Sequence, residues 1–440
     1  MQILFPAIVL LACAWSFRRP VWAVVLMIFL FSIQQVLQAE APWVRGTPLG
    51  NQLINYVVGS VAIFAAGITI LRKREAFVGW VNFSFVVITA LLAWSVVTLL
   101  WSPGRDLALQ VLSLRWVYYV IFILVGPIII ADLDDIAELL RGLLVAGIVL
   151  CLVINVSSGF ESQYGRIGIL EAGKLQSNPL ALGELGGVVL ITGALLRTQS
   201  FGRLSLLLRI AAVVLGAMTA IKSGSRGQML FAASIATIGY PFSARIRNIG
   251  SFVAGVVGMA LIGLLVATLA STLLEGFAAK RFSAEELLYG SSSTSERISN
   301  VGVLASAWAS SPIAVFVGVG YYAFSSFGLG IEYSHVVAAD MLFELGIPGA
   351  VLYLCLVVRE FGVCRWLLRV GRDDDVMRPV TALYVSLVLF YFLLSNKQGD
   401  LWGIVTLFML VCAADRVRAR AAALPDQAEF DGSREESASA

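Results

Sequence analysis

Apolar stretches long enough to cross a membrane recur along nearly the whole 440-residue chain, at about 2–17, 20–38, 52–71, 78–101, 109–131, 138–156, 180–197, 207–222, 228–243, 249–274, 346–368, 378–395 and 400–414. A span must satisfy every backbone N–H and C=O without water, and within one segment only a helix does so. The pattern therefore predicts an all-α, polytopic transmembrane helix bundle of about twelve or thirteen spans, twelve if the short first stretch does not cross. With 59% hydrophobic and 13% charged residues, the chain has too little polar material to coat a water-soluble globule of this size. The first stretch has no basic residue ahead of it, and Arg18 and Arg19 follow it directly, so it reads as a retained segment and not as a cleavable signal peptide.

Charge gives the expected orientation. Arg18 and Arg19, 72–74, Arg141, Arg197 with Arg203 and Arg209, Arg245 with Arg247, Arg369 with Arg372 and Arg378, and Arg416 with Arg418 and Arg420 fall in one alternate set of connections, which the positive-inside rule places in the cytoplasm. The other set, 39–51, 102–108, 157–179, 223–227, 275–345 and 396–399, then faces outward. Of these, 157–179 and 275–345 exceed what a helix turn needs, and 275–345 is long enough to hold helices of its own. The expected divisions are 1–156 as N-terminal spans, 157–414 as the functional region, and 415–440 as a disordered cytoplasmic tail that turns acidic through Glu429, Glu435 and Glu436. Cys13, Cys151, Cys355, Cys364 and Cys412 all lie in apolar runs and read as core residues, with no CxxC for a metal.

Four outward side chains carry the candidate chemistry. His335 is the only histidine in the chain and the only side chain whose ordinary titration falls near neutrality. If 333–345 is one helix, His335 shares a face with Ala338, Ala339 and Leu342, while Asp340 and Glu344 share another. Gly346 and Pro348 then end that helix and start the next. Arg226, in Ser223-Gly224-Ser225-Arg226-Gly227, stands at a helix start where backbone N–H groups and a guanidinium converge on an anion. Arg297 follows Ser293 and Thr294, either of which caps a helix holding the arginine in its first turn. Arg166, in Tyr164-Gly165-Arg166, is a further sugar or phosphate contact. Each also has a plain structural reading, as an interfacial histidine, a snorkelling arginine or a solvated loop residue. The acidic runs Asp132-Leu133-Asp134-Asp135 and Asp373-Asp374-Asp375 lie in basic connections on the opposite side; the first has the spacing of a DxD metal site, and both read more simply as solvated turns.

The ordered set Ser223-Gly224-Ser225-Arg226-Gly227, Arg297, Trp308, Ser311-Pro312, Gly318-Val319-Gly320, Ser334-His335 and Glu344-Leu345-Gly346-Ile347-Pro348-Gly349 resembles the O-antigen ligase and O-antigen polymerase superfamily of bacterial inner-membrane enzymes. The resemblance covers about the second half of the chain, and Val336 stands where the family typically has asparagine. It implies a metal-independent glycosyltransferase of the GT-C type, without a cofactor, in the inner membrane with its active site in the periplasm. It further implies that Arg226 and Arg297 bind an undecaprenyl-diphosphate-linked glycan donor and that His335 activates the hydroxyl of a saccharide acceptor, either lipid A core or a second lipid-linked repeat. A lipid-linked saccharide transporter is the rival from another class, because a basic cavity alone serves binding.

Overall fold

The computed structural model describes residues 3–41, 48–73, 75–163, 166–171, 174–175, 178–197, 202, 204–244, 250, 253, 255, 257–258, 292–328, 333–398 and 400–423. The expected span at 249–274 and the first part of the 275–345 loop lie largely outside them. The chain is an all-α polytopic bundle: α1 Leu4–Arg18, α2 Val21–Ile28, α3 Leu30–Glu40, α4 Pro48–Arg72, α5 Phe83–Thr98, α6 Arg105–Ile129, α7 Leu133–Val156, α8 Pro179–Leu195, α9 Leu204–Lys222, α10 Arg226–Ser243, α11 Ser292–Ala309, α12 Pro312–Val317, α13 Val337–Phe343, α14 Gly346–Val370, α15 Met377–Gln398 and α16 Val405–Ala423. Two small antiparallel hairpins interrupt the helices between α7 and α8: β1 Glu161–Gln163 with β2 Arg166–Gly168, and β3 Leu170–Glu171 with β4 Lys174–Leu175.

The expected count of twelve or thirteen full spans is not met among the described residues. Six helices are long and apolar enough to cross, or seven if α2 and α3 are one span bent by 67°. The apolar α1, α5 and α8 are shorter. An apolar run read from sequence measures hydrophobicity, whereas spanning needs an unbroken helix of ~20 residues. The expected departure from the bundle at 415 also shifts. Helix α16 continues to Ala423, with Asp415 and Arg416 fully buried.

Helix starts follow the local sequence. Asp132 accepts from Asp135 N (2.9 Å) and opens α7, Asn82 accepts from Phe85 N (2.9 Å) and opens α5, and Asn178 accepts from Leu180 N (3.0 Å) ahead of Pro179 in α8. Small residues then set the tightest packing. A Cβ on Gly186 would meet Ala220 N and Gly216 O at 2.6 Å, and one on Gly216 would meet Leu190 N at 2.7 Å, so α8 and α9 approach backbone to backbone. That contact fixes the segment 223–226, which follows α9.

The two ends of the bundle differ in chemistry. At one end Arg72 donates to Arg18 O, Lys73 pairs with Asp132 and Asp135, Arg19 with Glu138, and Arg420 with Glu75. The connections expected to face the cytoplasm thus meet in space. Arg416 donates to the carbonyls of Ala76, Pro127 and Ile130 there, so a side chain expected at a solvated flank ties three segments together from a buried position. The acidic run at 132–135 is a helix cap with a lysine partner, not an open turn, and Asp374 caps the next helix by accepting from Val376 N at 2.7 Å. At the other end, Ser102 donates to Tyr321 O (2.6 Å), joining two connections expected to face outward, and Arg115 in α6 pairs with Asp400 just past a third.

A candidate cationic site beside His335

Helix α10 begins with Arg226 itself, as its sequence suggested, after Gly224 in the left-handed region at φ +69°. Ser223 Oγ accepts from Ser225 N (3.2 Å) and tightens the turn between α9 and α10. Nothing local to Lys397 marks it for this place. From the last turn of α15, its ammonium lies 3.1 Å from Ser225 Oγ. Its stem crosses Gly227, where a Cβ would meet Lys397 Cε at 2.4 Å, so glycine makes room for the lysine on the first turn of α10. The charges of Arg297, Arg166 and Arg226 all act on this ammonium. Three arginines separated along the chain and one lysine that composition could not single out therefore share one site.

Their settings differ from expectation in two places. Helix α11 begins at Ser292 and not at Ser293 or Thr294, which puts Arg297 in its second turn, where it is half-buried. Arg166 lies in β2 opposite Gln163 and not in an open loop, so a hairpin carries it to the cluster.

His335 is not on a helix face. Helix α13 starts only at Val337, and His335 precedes it with φ +66°, left-handed for a residue with a Cβ. The alignment with Ala338, Ala339 and Leu342 therefore does not form. Such a conformation costs ~1–2 kcal/mol and persists where neighbours dictate it. Ser334 is the neighbour that does so: fully buried, its Oγ accepts from Val336 N (3.0 Å) and donates to Asp340 Oδ1. The half-buried imidazole packs edge-on to Tyr333, with ring centroids 4.5 Å apart. Asn396 Oδ1 accepts from Ala338 N (3.1 Å), joining the start of α13 to the residue next to Lys397. That bond links the segment that follows His335 to the end of α15 that carries Lys397.

The two glycine motifs that accompany the histidine form a single junction. Val319 N donates to Phe343 O (3.0 Å) and Gly320 N to Glu344 O (2.9 Å), while the indoles of Trp94 and Trp101 donate to Leu345 O (2.8 Å) and Gly318 O (3.1 Å). A Cβ on Gly318 would fall 2.0 Å from Glu344 O, and Gly318 and Gly346 both have positive φ, so this crossing requires glycine on each side. Inside it, Glu344 accepts from Tyr322 N (3.0 Å) and Phe324 N (3.1 Å), and Tyr322 OH donates to Asp400 Oδ2 (3.2 Å), which also pairs with Arg115. Burial pushes Glu344 up to about 7 and Asp340 well above the usual carboxylate range, each helped by a neighbouring carboxylate.

Among the described residues, no group of three or more His, Cys, Asp or Glu is arranged to hold a metal ion. The assembly defines a class: a multi-pass helical membrane protein with a cluster of four cations at one end of the bundle and a conformationally fixed histidine on a segment hydrogen-bonded to the same helix end. Searches of protein-family models and of curated proteins give no match to this chain.

Proposed function

We propose that this protein transfers an undecaprenyl-diphosphate-linked oligo- or polysaccharide to an acceptor sugar at the periplasmic face of a bacterial inner membrane, in the manner of the O-antigen ligases that its motifs resemble, with a GT-C type architecture. The observation that carries the reading is the convergence of Arg166, Arg226, Arg297 and Lys397 beside the segment that fixes His335. A diphosphate leaving group develops negative charge as the glycosidic bond breaks, and clustered cations in a water-poor site stabilise that charge. His335 accepts the proton of the acceptor hydroxyl as its oxygen bonds to the anomeric carbon. The anomeric C–O bond to the diphosphate breaks in the same displacement, and undecaprenyl diphosphate departs against the cations. The guanidinium groups supply forked contacts to phosphate oxygens, and Lys397 adds a point charge.

The test is a transfer assay with purified protein, a synthetic undecaprenyl-diphosphate glycan and separate acceptors. Transfer to a lipid A core sugar marks a ligase, and chains lengthened on the lipid carrier mark a polymerase. Translocation of the lipid-linked glycan without any new glycosidic bond overturns the enzymatic reading.

A further inference from the structure

A groove of about 1030 Å³ opens between the C-terminal end of α10 and helices α14, α15 and α16. Its walls are mainly apolar, with Phe361, Leu389 and Phe392 among them, and Phe361 and Leu389 are exposed. At one end the wall turns basic. Arg365 and Arg369 lie at i and i+4 on one exposed face of α14, Arg372 follows in the turn just past its end, and Arg378 stands across from them at the start of α15. Arg378 pairs with Asp375; none of the other three is ion-paired among the described residues, and Asp373 is the acidic residue in this part of the wall.

A second observation lies deeper. Glu360 lines the groove with Oε1 accepting from Cys364 Sγ (3.3 Å), while its buried Oε2 has no hydrogen-bond partner among the described residues. A buried carboxyl oxygen without a partner is costly in an apolar wall, and a ligand's polar group would satisfy it. The dimensions suit one kind of occupant. From Arg365 inward to Tyr353 the wall of α14 runs ~18 Å at 1.5 Å per residue. One leaflet of a bilayer offers ~15 Å of hydrocarbon. The groove is therefore a leaflet deep, with cations at the depth of the phosphates and Glu360 about a turn and a half further in, where Oε2 of its carboxyl in the acid form would donate to a glycerol ester carbonyl.

We infer that this groove is a binding site for an anionic glycerophospholipid, whose acyl chains lie along α14 and α15 and whose phosphate is held by Arg365, Arg369 and Arg372. It is separate from the cationic site: α14 begins at the glycine junction beside Glu344, and Arg365, the nearest of these arginines, lies ~28 Å further along the helix. Three cations near a lipid phosphate give a preference on the order of tenfold or more for an anionic over a zwitterionic headgroup.

The experiment is native mass spectrometry of the full-length protein in detergent, titrated separately with phosphatidylglycerol, phosphatidylethanolamine, undecaprenyl phosphate and inorganic phosphate. Phosphatidylglycerol is expected to be retained at least tenfold better than phosphatidylethanolamine. The triple variant R365Q/R369Q/R372Q should reduce that preference to less than threefold. Leu389→Trp fills the groove without altering its charge and should lower phosphatidylglycerol retention at least fivefold, which keeps the inference falsifiable if the triple variant does not fold. Equal retention of the two phospholipids overturns it, as does tighter binding of undecaprenyl phosphate. Displacement of phosphatidylglycerol by millimolar inorganic phosphate also overturns it, since the headgroup contacts alone would then account for binding.

Discussion

Replacing His335 with glycine separates its chemistry from its structural role, because the two have opposite consequences at this position. With φ at +66°, a residue bearing a Cβ is strained by ~1–2 kcal/mol, and glycine removes that strain. The substitution also removes the edge-on contact with Tyr333, of the kind worth ~0.5–1.5 kcal/mol. The two nearly cancel, so His335→Gly should change the unfolding midpoint in detergent by no more than about 2 °C. Turnover should behave otherwise. Loss of a general base costs ~10²–10⁴-fold, and the turnover of His335→Gly should fall by at least the lower figure. Donor binding should hold within about twofold, because the cations that hold the diphosphate are untouched. The readouts are glycan transfer by purified protein, donor binding in the same detergent, and thermal unfolding. A His335→Gly protein with a wild-type midpoint and near-wild-type transfer refutes the assignment of the proton to this imidazole. A fall of many degrees shows that the contacts of the imidazole outweigh the backbone strain at this position.

Other consequences are equally direct. Arg226→Lys should lose at least tenfold in kcat/KM, since a point charge does not reproduce forked phosphate contacts, and transfer should persist in EDTA; loss with EDTA that Mg²⁺ restores contradicts a purely side-chain clamp. Lys397→Gln should raise donor KM by about tenfold with a smaller effect on kcat, measured by initial rates over a donor titration, because it removes one charge from the cluster. Gly318→Ala places a Cβ 2.0 Å from Glu344 O at a residue with φ +82°, so it should destabilise by ~2–5 kcal/mol and lower the amount of folded protein in membranes, whereas Gly67→Ala in α4, with nothing within 4 Å, should be neutral or stabilising; an unaltered Gly318→Ala protein contradicts the junction. Glu344, raised from 4.5 to about 7, binds its proton more tightly folded than unfolded, so its stability contribution is fully present below about pH 4.5 and is lost as pH rises through 7, by up to ~3 kcal/mol. Thermal unfolding at pH 5.5 and 8 should give the higher midpoint at pH 5.5; the reverse order contradicts the burial of this carboxyl.

Much of the architecture was legible because it depends on local sequence. Backbone polar groups in hydrocarbon have no partner but each other, so long apolar runs dictate helices whatever their neighbours. Asp132, Asn82 and Asn178-Pro179 mark helix starts because a short polar side chain reaches N–H groups two or three residues away. The arginine at the α10 start was visible for the same reason. What the sequence could not determine depends on which surfaces meet. Arg115 and Asp400 are 285 residues apart, Lys73 and Asp135 are 62 apart, and nothing local to either member signals its partner. Lys397 looks like an ordinary lysine closing an apolar helix until α15 packs against α10 and Gly227 admits its stem. The 333–345 stretch has helical periodicity throughout, yet the buried Ser334–Asp340 contact holds residue 335 out of the helix, because in a packed interior the partner of one hydroxyl outweighs the propensity of a single turn. Among the described residues, the 67° bend between α2 and α3 falls inside one apolar run, so hydrophobicity alone did not mark it.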